Sequence, residues 1–187
     1  MAVNQLRVLC LGGSGMLGYA MSRYLVSSGH EVVVTVRSKA KEMLEYHLGN
    51  MATIWVVDDV FSDAFNEEMK SRRFDYVINC IGVVKPRDSS HLDVKEMFLI
   101  NTIFPRMLED LAEGRYKLIH VSSDCVFDGH DGNFSEDSCQ YSTDVYGTSK
   151  RFGEVGGPNS LTLRTSLIGF ELTGTYGLLS WFLSQRN

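Results

Sequence analysis

Apolar residues along the chain fall into short unbroken blocks, separated by stretches in which they recur with a helical period. The blocks are "LRVLCL" (6–11), "EVVVTV" (31–36), "TIWVV" (53–57), "DYVINCIG" (75–82), "KLIHVSS" (117–123) and "SLTLRTS" (160–166). A continuous β-branched block reads as a strand covered on both faces. Helical patterns follow each of the first five: "MLGYAMSRYLVSSG", "KAKEMLEYHLGN" ending near Gly49, "SDAFNEEMKSRR" with Ser62 or Asp63 as N-cap, "HLDVKEMFLINTIFPRMLEDLAEG" with Pro105 placed to kink it, and the helix in "DVYGTSKRFGE". Such alternation predicts an α/β fold, a doubly wound parallel sheet with helices on both faces and strand order 3-2-1-4-5-6. Residues 1–166 form its main domain. The end, "TYGLLSWFLSQRN", reads as an apolar helix starting a further layer, so residues 167–187 are expected to be the beginning of a truncated second lobe.

Composition narrows the class. The chain has 187 residues, 44% hydrophobic and 22% charged, enough for one domain with a real core. Its net charge is -5 and no Lys/Arg run marks a nucleic-acid groove, so no nucleic acid is expected as partner. The N-terminus has no signal-peptide pattern, and no apolar stretch is long enough to span a membrane. Cys10, Cys80, Cys125 and Cys139 lack C-x-x-C spacing, which favours reduced thiols and a cytoplasmic location. The histidines also lack metal-ligand spacing, and no metal is expected.

Candidate chemistry starts after the first strand. "GGSGMLG" places Gly12, Gly15 and Gly18 in G-x-x-G-x-x-G spacing before a helix. Glycine there permits a tight turn and lets backbone approach a pyrophosphate, which the helix N-terminus attracts. The plain alternative is a tight strand–helix turn, but the placement favours a dinucleotide site. The expected contacts are Gly12, Ser14, Gly15, Met16, Leu17 and Gly18. At the end of the second strand an NAD site carries Asp or Glu. Here stands Arg37, in "VRSKAK". A guanidinium suits a 2′-phosphate, so NADP(H) is expected in preference to NAD(H); the competing reading is a solvated basic helix start. Asp59, with Val60, is placed for the adenine amino group. Asp58 is placed equally well, and either carboxylate could instead cap a helix.

"HVSSD" puts Ser122, Ser123 and Asp124 at the end of the fifth strand, and Tyr146 and Lys150 lie one helical turn apart in the next helix. Alone, Tyr-x-x-x-Lys is common and uninformative. Together, "GGSGMLG", "NCIG", "SSDCVFDG" and "YGTSK" followed by Gly-Glu resemble, in order and spacing, the extended short-chain dehydrogenase/reductases, and within them the dTDP-4-dehydrorhamnose reductase branch. The resemblance implies a Rossmann fold. It also implies a catalytic Ser123, Tyr146 and Lys150, a Lys150 that holds the nicotinamide ribose, and a cofactor-lining segment at Cys80, Ile81 and Gly82. Asn101 resembles that family's helix asparagine near the active site; a buried asparagine at a helix kink is the other reading. A free phenol titrates near pH 10, so proton exchange at pH 7 needs a shift of roughly 3 units, about 4 kcal/mol of support for the phenolate. A nearby ammonium is expected to supply part of it, and the oxidised nicotinamide ring more when present.

The resemblance implies an NADPH-dependent reductase of a nucleotide-linked 4-keto-6-deoxy sugar. Dehydratase relatives carry Asp-Glu after the catalytic Thr; this chain has Asp124-Cys125, and a thiol cannot protonate a leaving hydroxyl as a carboxylic acid does. Two alternatives stay open: a sugar-nucleotide epimerase of the same fold, disfavoured by the basic end of strand two, and an NADP-binding non-catalytic regulatory subunit. Lys85 and Arg87 are within reach of a substrate diphosphate, although a solvated loop explains them as well. Relatives in this family suggest homodimers and continue into a C-terminal lobe that closes over the sugar nucleotide; most of that lobe is expected to be missing here.

Overall fold

The six apolar blocks are strands in the computed structural model, which describes residues 4–84, 93–130, 132–172, 174 and 177–185. They are β1 (Arg7–Leu11), β2 (Glu31–Val36), β3 (Thr53–Val56), β4 (Tyr76–Asn79), β5 (Lys117–Ser123) and β6 (Ser160–Thr165). The sheet order is β3-β2-β1-β4-β5-β6, the doubly wound order expected. The pairs β1–β2, β1–β4, β2–β3 and β5–β6 are parallel. The chain divides into two compact units, residues 1–80 with 167–187, and residues 81–166.

In the first unit, β1 and β2 are buried along nearly their whole length, as their largely apolar sequences require. Their core cluster of Cys10, Val32, Val34 and Val36 packs with Leu44 and Leu48 of helix α2 (Lys41–Leu48). Helix α1 (Met16–Ser27) covers the strands through buried Gly18 and Ser22. Helix α3 (Asp63–Ser71) starts at Ser62, whose hydroxyl accepts the Phe65 N–H at 3.2 Å, so the cap is Ser62 rather than Asp63. The segment from Leu167 returns over α1, where a cleft of about 520 Å³ lies among Met16, Tyr19, Tyr24, Ile168 and Phe170. The terminal helix, Leu178–Ser184, carries exposed Leu178, Trp181 and Phe182.

The second unit is built on an interrupted helix. Helix α4 (Val94–Phe98) runs into a π-helical turn, Leu99–Ile103, and then into helix α5 (Phe104–Ala112). The cause is Pro105. A proline has no N–H for the carbonyl four residues back, here Asn101, and its ring collides with that carbonyl in a regular α-helix. Widening the turn relieves the collision: Phe104 N–H donates to the Leu99 carbonyl, five residues back. The Asn101 carbonyl is turned toward Gly153, just past helix α6 (Val145–Phe152), so closely that a Cβ at Gly153 would overlap it. Arg106 Nε reinforces the contact by donating to the Phe152 carbonyl at 2.7 Å. Glu154 has a separate task. It pairs with Arg164 of β6 at 2.9 Å and accepts from Gln140 at 2.6 Å, tying the loop ahead of α6 to the sheet.

On β5, His120 is fully buried beside Lys150. Burial, and then the Lys150 ammonium, push the imidazole down to about 3, so it is neutral in the folded protein. The unfolded chain takes up this proton near pH 6.5 and the folded chain does not, so stability is lost as pH falls from about 6.5 toward 3. Urea midpoints should therefore drop between about pH 7.5 and about pH 5, and drop less in His120→Gln. Equal drops in both proteins would refute this assignment. Gly153→Ala should cost about 3 kcal/mol or more, since the methyl meets backbone rather than a movable side chain. Gly156→Ala, with open space around it, serves as the near-neutral control.

Candidate active site

The glycine turn lies wholly in the first unit. Gly12 has φ +87°, a conformation that disfavours any side chain, and its N–H donates to Thr35 Oγ1 at 3.0 Å. Gly13 N–H donates to the Thr35 carbonyl at 2.8 Å. These bonds pin the turn to the end of β2. A Cβ at Gly18 would overlap the Gly12 carbonyl, so glycine is required there for close approach of helix and turn. Helix α1 begins at Gly15 with no side-chain cap and no acidic residue in its first turn. Its first N–H groups thus lack a side-chain acceptor and face the positive end of the helix dipole. A pyrophosphate fits this cradle on charge and on space. Ser14, Met16 and Leu17 are half-buried around it, and Gly15 is exposed.

Arg37 is exposed immediately after β2, ahead of a short 3₁₀ turn, Ser38–Ala40. The two neighbouring carboxylates, which sequence left interchangeable, have different tasks. Asp58 Oδ1 accepts both the Ser38 N–H at 2.8 Å and the Ser38 hydroxyl at 2.9 Å. Those bonds, with the Arg37 charge as a smaller contributor, hold the Asp58 carboxyl below the usual carboxylate range. Asp59 Oδ1 accepts the Phe61 N–H at 2.8 Å and so closes the turn through Val60. Cys80 follows β4, its N–H donating to the Leu11 carbonyl at 3.1 Å.

The second unit holds the proposed chemistry. Ser123 ends β5 and is buried. Its oxygen accepts the Cys125 N–H at 3.1 Å, and its hydroxyl donates to Asp124 Oδ1 at 3.2 Å. Helix α6 starts at Asp144, whose carboxylate accepts the Gly147 N–H at 2.8 Å. Its first turn carries Tyr146, half-buried, with Ser123 close enough to act on its phenol. Lys150 is buried, and its ammonium donates to the Val121 carbonyl at 2.7 Å. The electrostatics differ from the sequence expectation. Burial raises the Tyr146 phenol above its ordinary value, Ser123 offsets this in part, and the neighbouring Cys125, Asp124 and Asp144 add to the rise. Without cofactor, then, the phenol keeps its proton, and a neutral Tyr146 is the form that can donate one.

Asn101 joins these pieces. Its side chain accepts the Val83 N–H at 2.9 Å and donates to the Val83 carbonyl at 2.8 Å. It also donates to Ser149 Oγ at 3.0 Å. Ser149 in turn donates to the Tyr146 carbonyl at 2.7 Å, and Thr102 Oγ1 donates to the Ser149 carbonyl at 2.7 Å. A Cβ at Gly82 would lie 3.5 Å from Asn101 Oδ1 and 3.7 Å from Lys150 Nζ, so Ile81-Gly82 runs directly beside the lysine. Asn101 is thus both a buried kink residue and the tie between α6 and the segment after β4. Sequence reading missed Ser149; the serine one position before Lys150, and Pro105 four after Asn101, were the available signals. Lys85 and Arg87 lie outside the described residues. Among the described residues no cluster of His, Cys, Asp and Glu could hold a metal ion, and no helix is long and apolar enough to cross a membrane.

Comparison with known proteins agrees with this layout. Residues 8–156 match the NAD dependent epimerase/dehydratase family. The chain is 28% identical over 169 residues to a dTDP-4-dehydrorhamnose reductase of Aggregatibacter actinomycetemcomitans, covering 86% of this chain and 51% of that protein. It is also 28% identical over 149 residues to methionine adenosyltransferase 2 subunit beta of Xenopus laevis, covering 79% of this chain and 41% of that one. The chain thus spans about half the length of the curated relatives it matches. A crystal structure described as a hypothetical dTDP-4-dehydrorhamnose reductase from Sulfolobus tokodaii superposes with TM-score 0.71 at 26% identity, over 85% of this chain and 55% of that one. With residues 8–156 matched by the family and the sheet in the doubly wound order, the chain belongs to the NAD dependent epimerase/dehydratase family, the extended short-chain dehydrogenase/reductases.

Proposed function

We propose that this chain is the cofactor-binding portion of an NADPH-dependent reductase acting on a nucleotide-linked 4-keto-6-deoxy sugar. The observation that carries the reading is the half-buried phenol of Tyr146, kept protonated by burial, one helical turn from a buried Lys150. Similarity to a dTDP-4-dehydrorhamnose reductase supports the substrate class. The glycine turn takes the pyrophosphate and Arg37 the 2′-phosphate. Bound NADPH supplies the hydride that reduces the ketone carbon. Ser123 turns its hydroxyl from Asp124 to the ketone oxygen. Tyr146 gives its proton to that oxygen as the alcohol forms. The Lys150 ammonium, already fixed by Val121, stabilises the phenolate left behind and holds the nicotinamide ribose. Solvent then reprotonates the phenol.

A second reading rests on a different finding. Similarity to methionine adenosyltransferase 2 subunit beta favours a regulatory subunit that binds NADP without turning over a sugar. NADPH oxidation with a panel of 4-keto-6-deoxy nucleotide sugars separates the two. Consumption with one of them supports the reductase; tight NADP binding with no consumption supports the subunit. In the reductase, Tyr146→Phe should lower kcat by roughly 10²- to 10⁴-fold while leaving the NADP Kd within about threefold. Lys150→Met should weaken both binding and turnover, because the ammonium serves both. A Tyr146→Phe protein with unchanged kcat would remove the phenol from the mechanism.

A further inference from the structure

The cradle and the end of β2 carry more information than a preference for phosphate. Thr35 fixes the glycine turn through two hydrogen bonds, so the residues just after β2 stand beside the ribose that follows a pyrophosphate seated on the turn. Three side chains meet there. Arg37 is exposed and cationic. Ser38 has a hydroxyl and an N–H of the kind that commonly hold phosphate oxygens. Asp58, from the end of β3, already accepts both Ser38 donors on one carboxylate oxygen, at 2.8 and 2.9 Å.

We propose that Asp58 sets the choice between NADP and NAD, by withholding the Ser38 donors from a 2′-phosphate and placing a negative charge beside Arg37. The proposal rests on the cofactor site described above. A 2′-phosphate has to displace Asp58 from Ser38 and tolerate its charge. A plain 2′-hydroxyl meets no such obstacle, since it is neutral and can itself donate to a carboxylate with acceptor capacity left on its second oxygen. The acidic residue absent from the end of β2 is thereby supplied in space from β3. Selectivity for NADP is held down by a residue outside the sequence position where such selectivity is normally read. The direction of the Asp58 carboxyl, held in its charged form by Ser38 and Arg37, agrees.

The test uses fragments that need only this part of the site. Binding of 2′,5′-ADP, which carries the 2′-phosphate, and of 5′-AMP, which lacks it, is measured by calorimetry on the whole protein. The variants are Asp58→Asn, Asp58→Ala and Ser38→Ala. Both Asp58 variants should shift the ratio of the two affinities toward 2′,5′-ADP by about tenfold, with 5′-AMP binding as tightly as before or more weakly. Ser38→Ala should weaken 2′,5′-ADP in the Asp58→Ala background more than in the wild type. An unchanged ratio in Asp58→Asn and Asp58→Ala, with both fragments still bound, overturns this proposal and leaves the cofactor site standing. Failure of the wild type to bind either fragment overturns both.

Discussion

Asn101 and the widened turn that carries it are what the second unit depends on. A regular helix through residues 94–112 would put the Asn101 carbonyl into the Pro105 ring. The π-turn releases that carbonyl toward Gly153 and lets the side chain reach Val83 and Ser149. Four hydrogen bonds then link the segment after β4 to the backbone of helix α6: Val83 to Asn101, Asn101 to Val83, Asn101 to Ser149, and Ser149 to Tyr146. A buried polar network of this kind is stable only when its members are satisfied, which makes the position of α6 discrete rather than adjustable. Pro105, a residue with no functional group, is therefore a cause of where Tyr146 and Lys150 stand.

Two titratable groups, one charged and one neutral, are held in waiting states by their neighbours. The Lys150 ammonium is buried and anchored to the Val121 carbonyl, with His120 kept neutral beside it. The Tyr146 phenol is held protonated by burial, with the carboxylates of Asp124 and Asp144 adding to the effect. A phenol poised this way donates a proton more readily than it removes one, which fits reduction better than oxidation. In the first unit Asp58 is likewise held charged, by its bonds to Ser38 and by the Arg37 charge.

Much of this was legible in sequence, because it follows from local rules. The limits of β2 and β5 coincide with the blocks 31–36 and 117–123 read from sequence, and strand–helix alternation gave the sheet order directly. The glycine spacing predicted a cradle because the need is steric and local. What sequence could not show was partnership across distance. Asp58 and Asp59 are adjacent in the chain, yet only a fold that brings Ser38 to the first and Phe61 to the second tells them apart. The fall expected for the Tyr146 phenol counted the ammonium one turn away and omitted burial, which dominates. Pro105 pointed to a kink, but a π-turn in place of a bend requires knowing that Gly153 waits for the Asn101 carbonyl.

The most direct test of a phenol held protonated until the cofactor arrives is a titration of Tyr146 itself. Carbon-13 labelling at tyrosine Cζ, with Tyr146→Phe to assign the signal, gives its pKa with and without NADP⁺. The expected result is a pKa above the ordinary tyrosine value in the free protein, raised by burial, and a clear fall when oxidised cofactor is added. A phenol already titrating well below the ordinary value in the free protein, or one unmoved by NADP⁺, would contradict it.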